Sequence, residues 1–252
     1  MDPAQLIAPV SFFGASAEVV AHSAHGLANA ADTRSGTSGS IHHDAESEVV
    51  DVSGRDVTIA LNGTSLPVRI PARGVHYAVD AAAAVSVAHH VLGDEFDSAA
   101  VSAGFAQMAP AYGRGELVPL RQDPSGEQVE FVMFKNGPSL QLNLDALDGA
   151  PERILMAIDE GTPDVSWLYD VDLSALRHID VVTGEKAHQI ALRLAYAGIS
   201  VGVVEPDMSR AVELMRAFPE TADLRQLWFV NYELMMHGRR LLRHGDQEVA
   251  RR

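Results

Sequence analysis

Apolar and polar positions follow two different rhythms along this chain. Up to about residue 70 the apolar residues come in short β-branched runs. The segments 49–52 and 55–62, VVDV and a run built on Val57, Ile59 and Leu61, predict a hairpin, and Val68–Ile70 a further short strand. Residues 1–14 hold brief apolar runs that predict one helical turn and a strand. From Ala15 to Glu48 the chain is rich in Ala, Ser, Gly, Thr and His with weak periodicity, which predicts a loop or a poorly ordered insertion. Val75 to Leu92 is Ala-rich and almost wholly apolar, and predicts a helix capped by Gly93; a second helix over about 97–108 stops before Pro110.

Past Arg114 the rhythm changes. Strand-like runs at 129–134, 153–158, 179–182, 200–204 and 227–230 alternate with helical spacing at 139–147, 170–177, 185–197, 207–217 and 233–243. Such alternation predicts βαβ units and a mostly parallel sheet. PAYGRGE, 110–116, breaks the composition and marks a boundary, giving domains 1–112 and 113–252. The fold class is α/β, with a Rossmann-like open sheet in the C-terminal domain. There are no internal repeats.

Composition narrows the functions available. The chain has 252 residues, 47% hydrophobic and 21% charged, ordinary values for a globular protein with a real core. Its formal net charge of −15 argues against nucleic acid and anionic lipid as partners. With no cysteine there is no disulfide, no thiolate nucleophile and no Cys-based zinc site. No basic stretch followed by an apolar core opens the chain, and no run approaches the ~18 apolar residues of a spanning helix. The expectation is a cytoplasmic protein that does not span a membrane.

Five features are candidates for chemistry, each with a plainer reading. PDVSWLYDVDL, Pro163–Leu173, follows a strand and opens a predicted helix, where open α/β sheets place ligands. It gathers Asp164, Asp170 and Asp172 around Trp167 and Tyr169; the plainer reading makes Asp164 a helix cap and Trp167 a core residue. VVTGEKAHQ carries Thr183, Gly184 and Lys186 into a helix N-terminus able to hold an anion, or simply turns a corner. KNGPS sets Lys135 and Asn136 directly after a strand, but the phosphate-loop pattern G-x-x-x-x-G-K-[ST] occurs nowhere. GRGE places Arg114 at the domain boundary, within reach of a nucleotide or of Glu116. The pairs His42–His43 and His89–His90 point to different helix faces, so neither is a metal centre; no metal site is expected.

The run PDVSWLYDVDL resembles the D-[TV]-S-W-[ILVW]-[YW]-D-x-D-[FL] run of the MurT family of Mur-type ligases. IDVVTGEKAHQIALRLAYAG resembles the same family's strand, V-T-G-x-[RK]-A turn and helix. GRGE, FVMFKNGPSLQLNL and Asn231-Tyr232 are similar to its G-R-x-E, K-N-P-A-G-x-N and N-Y-T segments. ARGVHYAVDAAAAVSVAHHVLG is similar to a helix of Mur central domains, and Met1-Asp2-Pro3 to the end of an N-A-D-D-P element.

The resemblance implies part of a Mur-ligase central domain over 1–112 and a MurT-like domain over 113–252. It implies a subunit of lipid II isoglutaminyl synthase, in which a GatD-type class I glutaminase releases ammonia and the ligase subunit amidates the D-glutamate of lipid II. Asp164 is then the catalytic carboxylate that completes the glutaminase's Cys–His pair across the interface. Arg114, Lys135, Asn136, Thr183, Gly184 and Lys186 are the substrate- or nucleotide-binding candidates. ATP and magnesium belong to the family, but its phosphate loop and magnesium ligands have no counterpart here. Its four-Cys zinc ribbon would fall near 20–45, where no Cys stands, so zinc is not expected. Tyr77 and Asp80 replace two Asn of the central-domain helix. The isolated chain is therefore expected to be inactive. The alternative is a diverged, non-catalytic module that keeps the partner surface without ATP chemistry.

Overall fold

The computed structural model describes residues 13–15, 46–159 and 161–242. The expected N-terminal helical turn, the Met1-Asp2-Pro3 element, nearly all of the 15–48 loop and the end of the last helix lie outside these residues. The chain divides into two compact units, Met1–Met108 and Ala109–Arg252.

In the first unit β1 (Phe13–Ala15), β2 (Ser47–Ser53), β3 (Asp56–Leu61) and β4 (Thr64–Arg69) form one sheet in the order β1-β2-β3-β4. β1 runs parallel to β2 and the other pairs are antiparallel. Val57, Ile59 and Leu61 alternate into the core, as strand periodicity requires. The expected short strand at Val68–Ile70 is longer and begins at Thr64. Asn62 and Gly63 take φ of 47° and 78° and reverse the chain in two residues, so β4 pairs with β3 from its first residue. Helix α1 (Val75–Leu92) buries Ala78, Ala82 and Val85. The Ser47 hydroxyl donates to the Ala82 carbonyl at 2.8 Å and lies 2.7 Å from the Ser86 hydroxyl, which fixes β2 to this helix. Helix α2 (Ser98–Gln107) is capped by Asp97, whose carboxylate accepts from the amides of Ala99 and Ala100.

The second unit is an open α/β sheet of six strands: β5 (Arg114–Pro119), β6 (Gln128–Met133), β7 (Ile154–Ala157), β8 (His178–Thr183), β9 (Ser200–Val204) and β10 (Arg225–Val230), ordered β5-β6-β10-β7-β8-β9. All neighbours are parallel except β5 and β6. Strand β7, ILMA, is buried throughout and β10 nearly so, as parallel strands covered on both faces must be. Helices α3 (Gly137–Asp145) and α4 (Ala187–Tyr196) cover one face through Leu140, Leu144, Ile190 and Leu194. Helices α5 (Met208–Ala217) and α6 (Tyr232–Leu241) cover the other through Met208, Val212, Met215, Leu234 and Met235. The first three parallel strands lead to the first face. The return from β9 crosses the second face and inserts β10 between β6 and β7. Strand order therefore reverses at β10, and the crevice at its carboxyl end is where such sheets hold ligands.

The stretch 110–116, read as a domain boundary, runs into edge strand β5, with Gly113 just before the strand and Gly115 at its bulge both at positive φ. One expectation is corrected here. Residues 170–177 form no helix; only one 3-10 turn, Ser166–Tyr169, precedes them. Leu173 and Leu176 are buried three residues apart, as on one helix face, and Val171 is buried with them. Their backbone is satisfied from elsewhere. Arg193 donates to the carbonyls of Leu168 and Val171 at 2.9 and 3.1 Å, and Asp172 N donates to Gln141 Oε1 at 2.8 Å.

Because the six-stranded unit closes its own core on both faces, residues 109–252 expressed alone should unfold in one cooperative urea transition. Trp228, fully buried, reports it by fluorescence; a broad, non-cooperative change refutes the expectation.

Candidate functional site

Every residue singled out in the second unit lies along the carboxyl edge of the parallel strands. Lys135 and Asn136 follow β6, Asp164 lies on the loop after β7, and Thr183, Gly184 and Lys186 end β8. Arg114 joins them because β5 is antiparallel, so its first residue pairs with Val132 near the end of β6.

Asp164 is exposed, on the loop just before the 3-10 turn. Its Oδ1 accepts from the Ser166 amide at 2.8 Å and its Oδ2 from the Ser166 hydroxyl at 3.1 Å. The residue at the N-cap position of the turn is Val165, so Asp164 forms an Asx turn rather than the helix cap of the plainer reading. The Ser166 amide, and after it the hydroxyl, hold this carboxyl below its usual range. Trp167 lies beneath the turn, edge-on to Phe134 at 6.0 Å between centroids. Gly137 fits against the same indole, where an added Cβ would sit 3.4 Å from Trp167 Cε3. Asp170 is exposed, and Asp172 Oδ1 accepts from Ser174 N at 2.9 Å in a turn of its own.

KNGPS folds as a capping box. Asn136 Oδ1 accepts from Ser139 N at 3.1 Å, and Ser139 Oγ accepts from the amides of Asn136 and Lys135 at 3.0 and 2.8 Å. The Asn136 side chain is thus committed to starting α3, while Lys135 is exposed. At VVTGEK, Lys186 N donates to Ile158 O at 3.1 Å, tying the β8 turn to the end of β7. Gly184 has φ 87°, and a Cβ there would collide with the Ile158 carbonyl and lie 2.7 Å from Leu234 Cδ1. Thr183 is fully buried, with its hydroxyl unpartnered. Arg114 is exposed and does not take Glu116. Glu116 Oε1 instead accepts from Arg239 at 3.1 Å, and Arg239 stacks 3.9 Å over Tyr112.

Sequence reasoning missed a cluster in the reversal crevice itself. Asn231, directly after β10, donates through Nδ2 to Asp159 Oδ1 at 2.6 Å, to Glu233 Oε2 at 3.1 Å and towards Thr162 Oγ1 at 3.5 Å. The available clue was positional: polar residues immediately after two apolar strands. In the first unit, His89 and His90 reach one carboxylate despite their adjacent positions, with Glu46 2.9 Å from His89 Nδ1 and 3.1 Å from His90 Nε2. No group of three or more His, Asp or Glu side chains among the described residues is placed to hold a metal. No helix among them is long and apolar enough to cross a membrane.

Two outcomes follow. Ser166→Ala removes one donor to Asp164, so its carboxyl titration, followed by NMR, should move up towards the ordinary value of about 3.9. The rise should be partial, because the amide is the larger cause. The wild-type turn's contribution to stability is present above the unfolded value and lost as pH falls through the lower folded one; the variant narrows that window. Gly184→Ala should cost about 1–3 kcal/mol or more in urea unfolding, from the positive φ and the collision with Ile158.

Comparison with known proteins bears on the fold. The chain resembles a pseudomurein peptide ligase type C from Methanothermus fervidus (TM-score 0.58, 12% identity), over 80% of this chain and 42% of that one. It resembles folylpolyglutamate synthase from Mycobacterium tuberculosis, solved with ADP and AMPPCP (TM-score 0.53, 18% identity, 79% and 48%). It also resembles the MurF ligase of Thermotoga maritima, solved with ADP (TM-score 0.54, 13% identity, 82% and 48%). The chain spans less than half the length of these structures, and at such identities the likeness is one of fold. No curated protein matches. Residues 133–235, less than half of the chain, match the MurT ligase C-terminal family, so this part of the second unit is similar to a MurT-type C-terminal domain.

Proposed function

We propose that this chain serves as the ligase-side subunit of a lipid II isoglutaminyl synthase. In this reading the D-glutamate of lipid II is amidated with ammonia released by a GatD-type glutaminase. The observation that carries the reading is Asp164: an exposed carboxylate, held as an anion by two donors of its own loop, at the carboxyl edge of a MurT-type domain. Its role is that of a third catalytic group supplied across an interface. The glutaminase cysteine attacks the side-chain amide carbon of glutamine after giving its proton to the partner histidine. Asp164 accepts from that histidine's other ring nitrogen, fixes the tautomer and stabilises the imidazolium. The exposure of Asp164 leaves lone pairs available to such a donor, and Trp167 packs the turn that follows it against Phe134.

The candidate nucleotide residues do not by themselves make a site for ATP and magnesium. Asn136 Oδ1 is spent on its helix cap and Lys135 stands exposed. The same commitment of Asn136 favours a second reading, a non-catalytic module that binds the partner but has no ligase chemistry.

One experiment separates the two. In the complex with its glutaminase, Asp164→Asn should leave assembly intact and lower glutamine hydrolysis by at least about two orders of magnitude, because an amide does not stabilise an imidazolium. Asp170→Asn should have little effect. A complex that forms without glutaminase activity supports the second reading; full activity in Asp164→Asn rules out the catalytic role.

A further inference from the structure

One side chain of α4 holds the exit of the Asp164 loop. Arg193 is half-buried, and its Nε and Nη2 donate to the carbonyls of Leu168 and Val171 at 2.9 and 3.1 Å. A single planar guanidinium spans both carbonyls with its fork, a geometry that a lysine ammonium does not reproduce. Its Cζ also lies 5.5 Å from the ring centroid of Tyr169, the last residue of the 3-10 turn. Because residues 170–177 form no helix, no following helical turn serves these carbonyls, and Arg193 supplies the donors instead.

Asp164 lies at the other end of the same turn. The amide of Ser166, the first residue of the turn, donates to Asp164 Oδ1 at 2.8 Å, and Leu168 N donates to Val165 O at 3.0 Å. Leu168 therefore gives its amide to the turn that carries Asp164 and its carbonyl to Arg193. Trp167 against Phe134 and the buried Leu168 side chain hold the turn to the core, but apolar packing is non-directional. Two hydrogen bonds from a planar group fix the angle as well. We propose that Arg193 is a positioning residue for Asp164. Its guanidinium fixes the end of the 3-10 turn, and through it the direction in which the Asp164 carboxylate meets the partner's histidine. This inference rests on the amidation reading of Asp164. The groups that lower the Asp164 carboxyl both belong to Ser166, the amide first, so Arg193 acts on it through the backbone rather than by its charge.

The test compares Arg193→Met, which keeps an apolar stem and removes the fork, with Arg153→Met. Arg153 donates to Asp180 at 2.9 Å at the opposite, amino edge of the sheet, so its loss is a structural cost away from Asp164. In the free full chain, Arg193→Met should raise the Asp164 carboxyl titration, followed by NMR, towards the ordinary range. Arg153→Met should not move it. In the complex with the glutaminase, Arg193→Met should lower kcat for glutamine hydrolysis at least about tenfold with KM little changed, because a misplaced catalytic group is that costly. Arg193→Lys, which keeps the charge and a donor, should lie between, and it carries the comparison should Arg193→Met fail to fold. An Asp164 titration that stays in place when the fork is removed overturns the role, as does an equal loss of kcat in Arg153→Met. The functional reading fails separately. Full activity in Asp164→Asn rejects that reading, whereas inactive Asp164→Asn beside fully active Arg193→Met leaves it standing and removes Arg193 from it.

Discussion

The second unit depends on one strand reaching its place. β10 is the last of the described strands, yet it pairs on both sides, with Leu227 opposite Ile154 of β7 and Glu130 of β6. Until it inserts, the earlier strands make two separate pieces, β5–β6 and β7–β8–β9, each with an open edge. Its side chains also fill both cores. Trp228 packs edge-on to Phe131 at 5.6 Å under α5 and α6, while Phe229 faces α3 and α4. The same insertion brings together loops that follow β6, β7 and β10, far apart in sequence. Asp159 and Asn231 are 72 residues apart along the chain and 2.6 Å apart in space for this reason. A polar latch at the opposite end supports the strand. Glu127, almost fully buried, accepts from the Thr221 amide and hydroxyl and from Gln226 Nε2.

How far the sequence could be read depended on whether the determinants were local. Helix α1 was legible to the residue because an apolar run ends on Gly93, which takes φ 52°. The parallel strands were legible because covered strands are continuously apolar. Two stretches were harder to read, for one reason. At 110–116 the glycines beside and within a bulged edge strand read only as a break between domains. At 170–177 an apolar spacing looked helical although the Val171 carbonyl, like that of Leu168 just before it, is taken by Arg193, about twenty residues later. In both places long-range partners decide the backbone, and local propensity does not record them. The site divides the same way. Asp164 could be singled out from sequence because the turn that holds it lies wholly within PDVSW. The Asp159–Asn231–Glu233 cluster exists only once β10 is seated, and no window of sequence contains it.

Two carboxylates on this edge thus have opposite environments, and the contrast bears on what each can do. Asp159 is enclosed by residues of its own domain, with its Oδ1 already accepting from Asn231 and from Gly161 N, and the crevice completes its surroundings. Asp164 is exposed, and its anion is stabilised only by the neighbouring Ser166. A carboxylate that acts across an interface is desolvated when the partner docks, and desolvation alone would raise its pKa and with it the tendency to take up a proton and lose its charge. The two Ser166 donors act against that rise before any partner arrives. On the proposed function, the Asx turn is therefore what keeps Asp164 anionic once it is covered. An ordinary exposed aspartate at the same position would start from a higher value and lose more of its anionic form on docking.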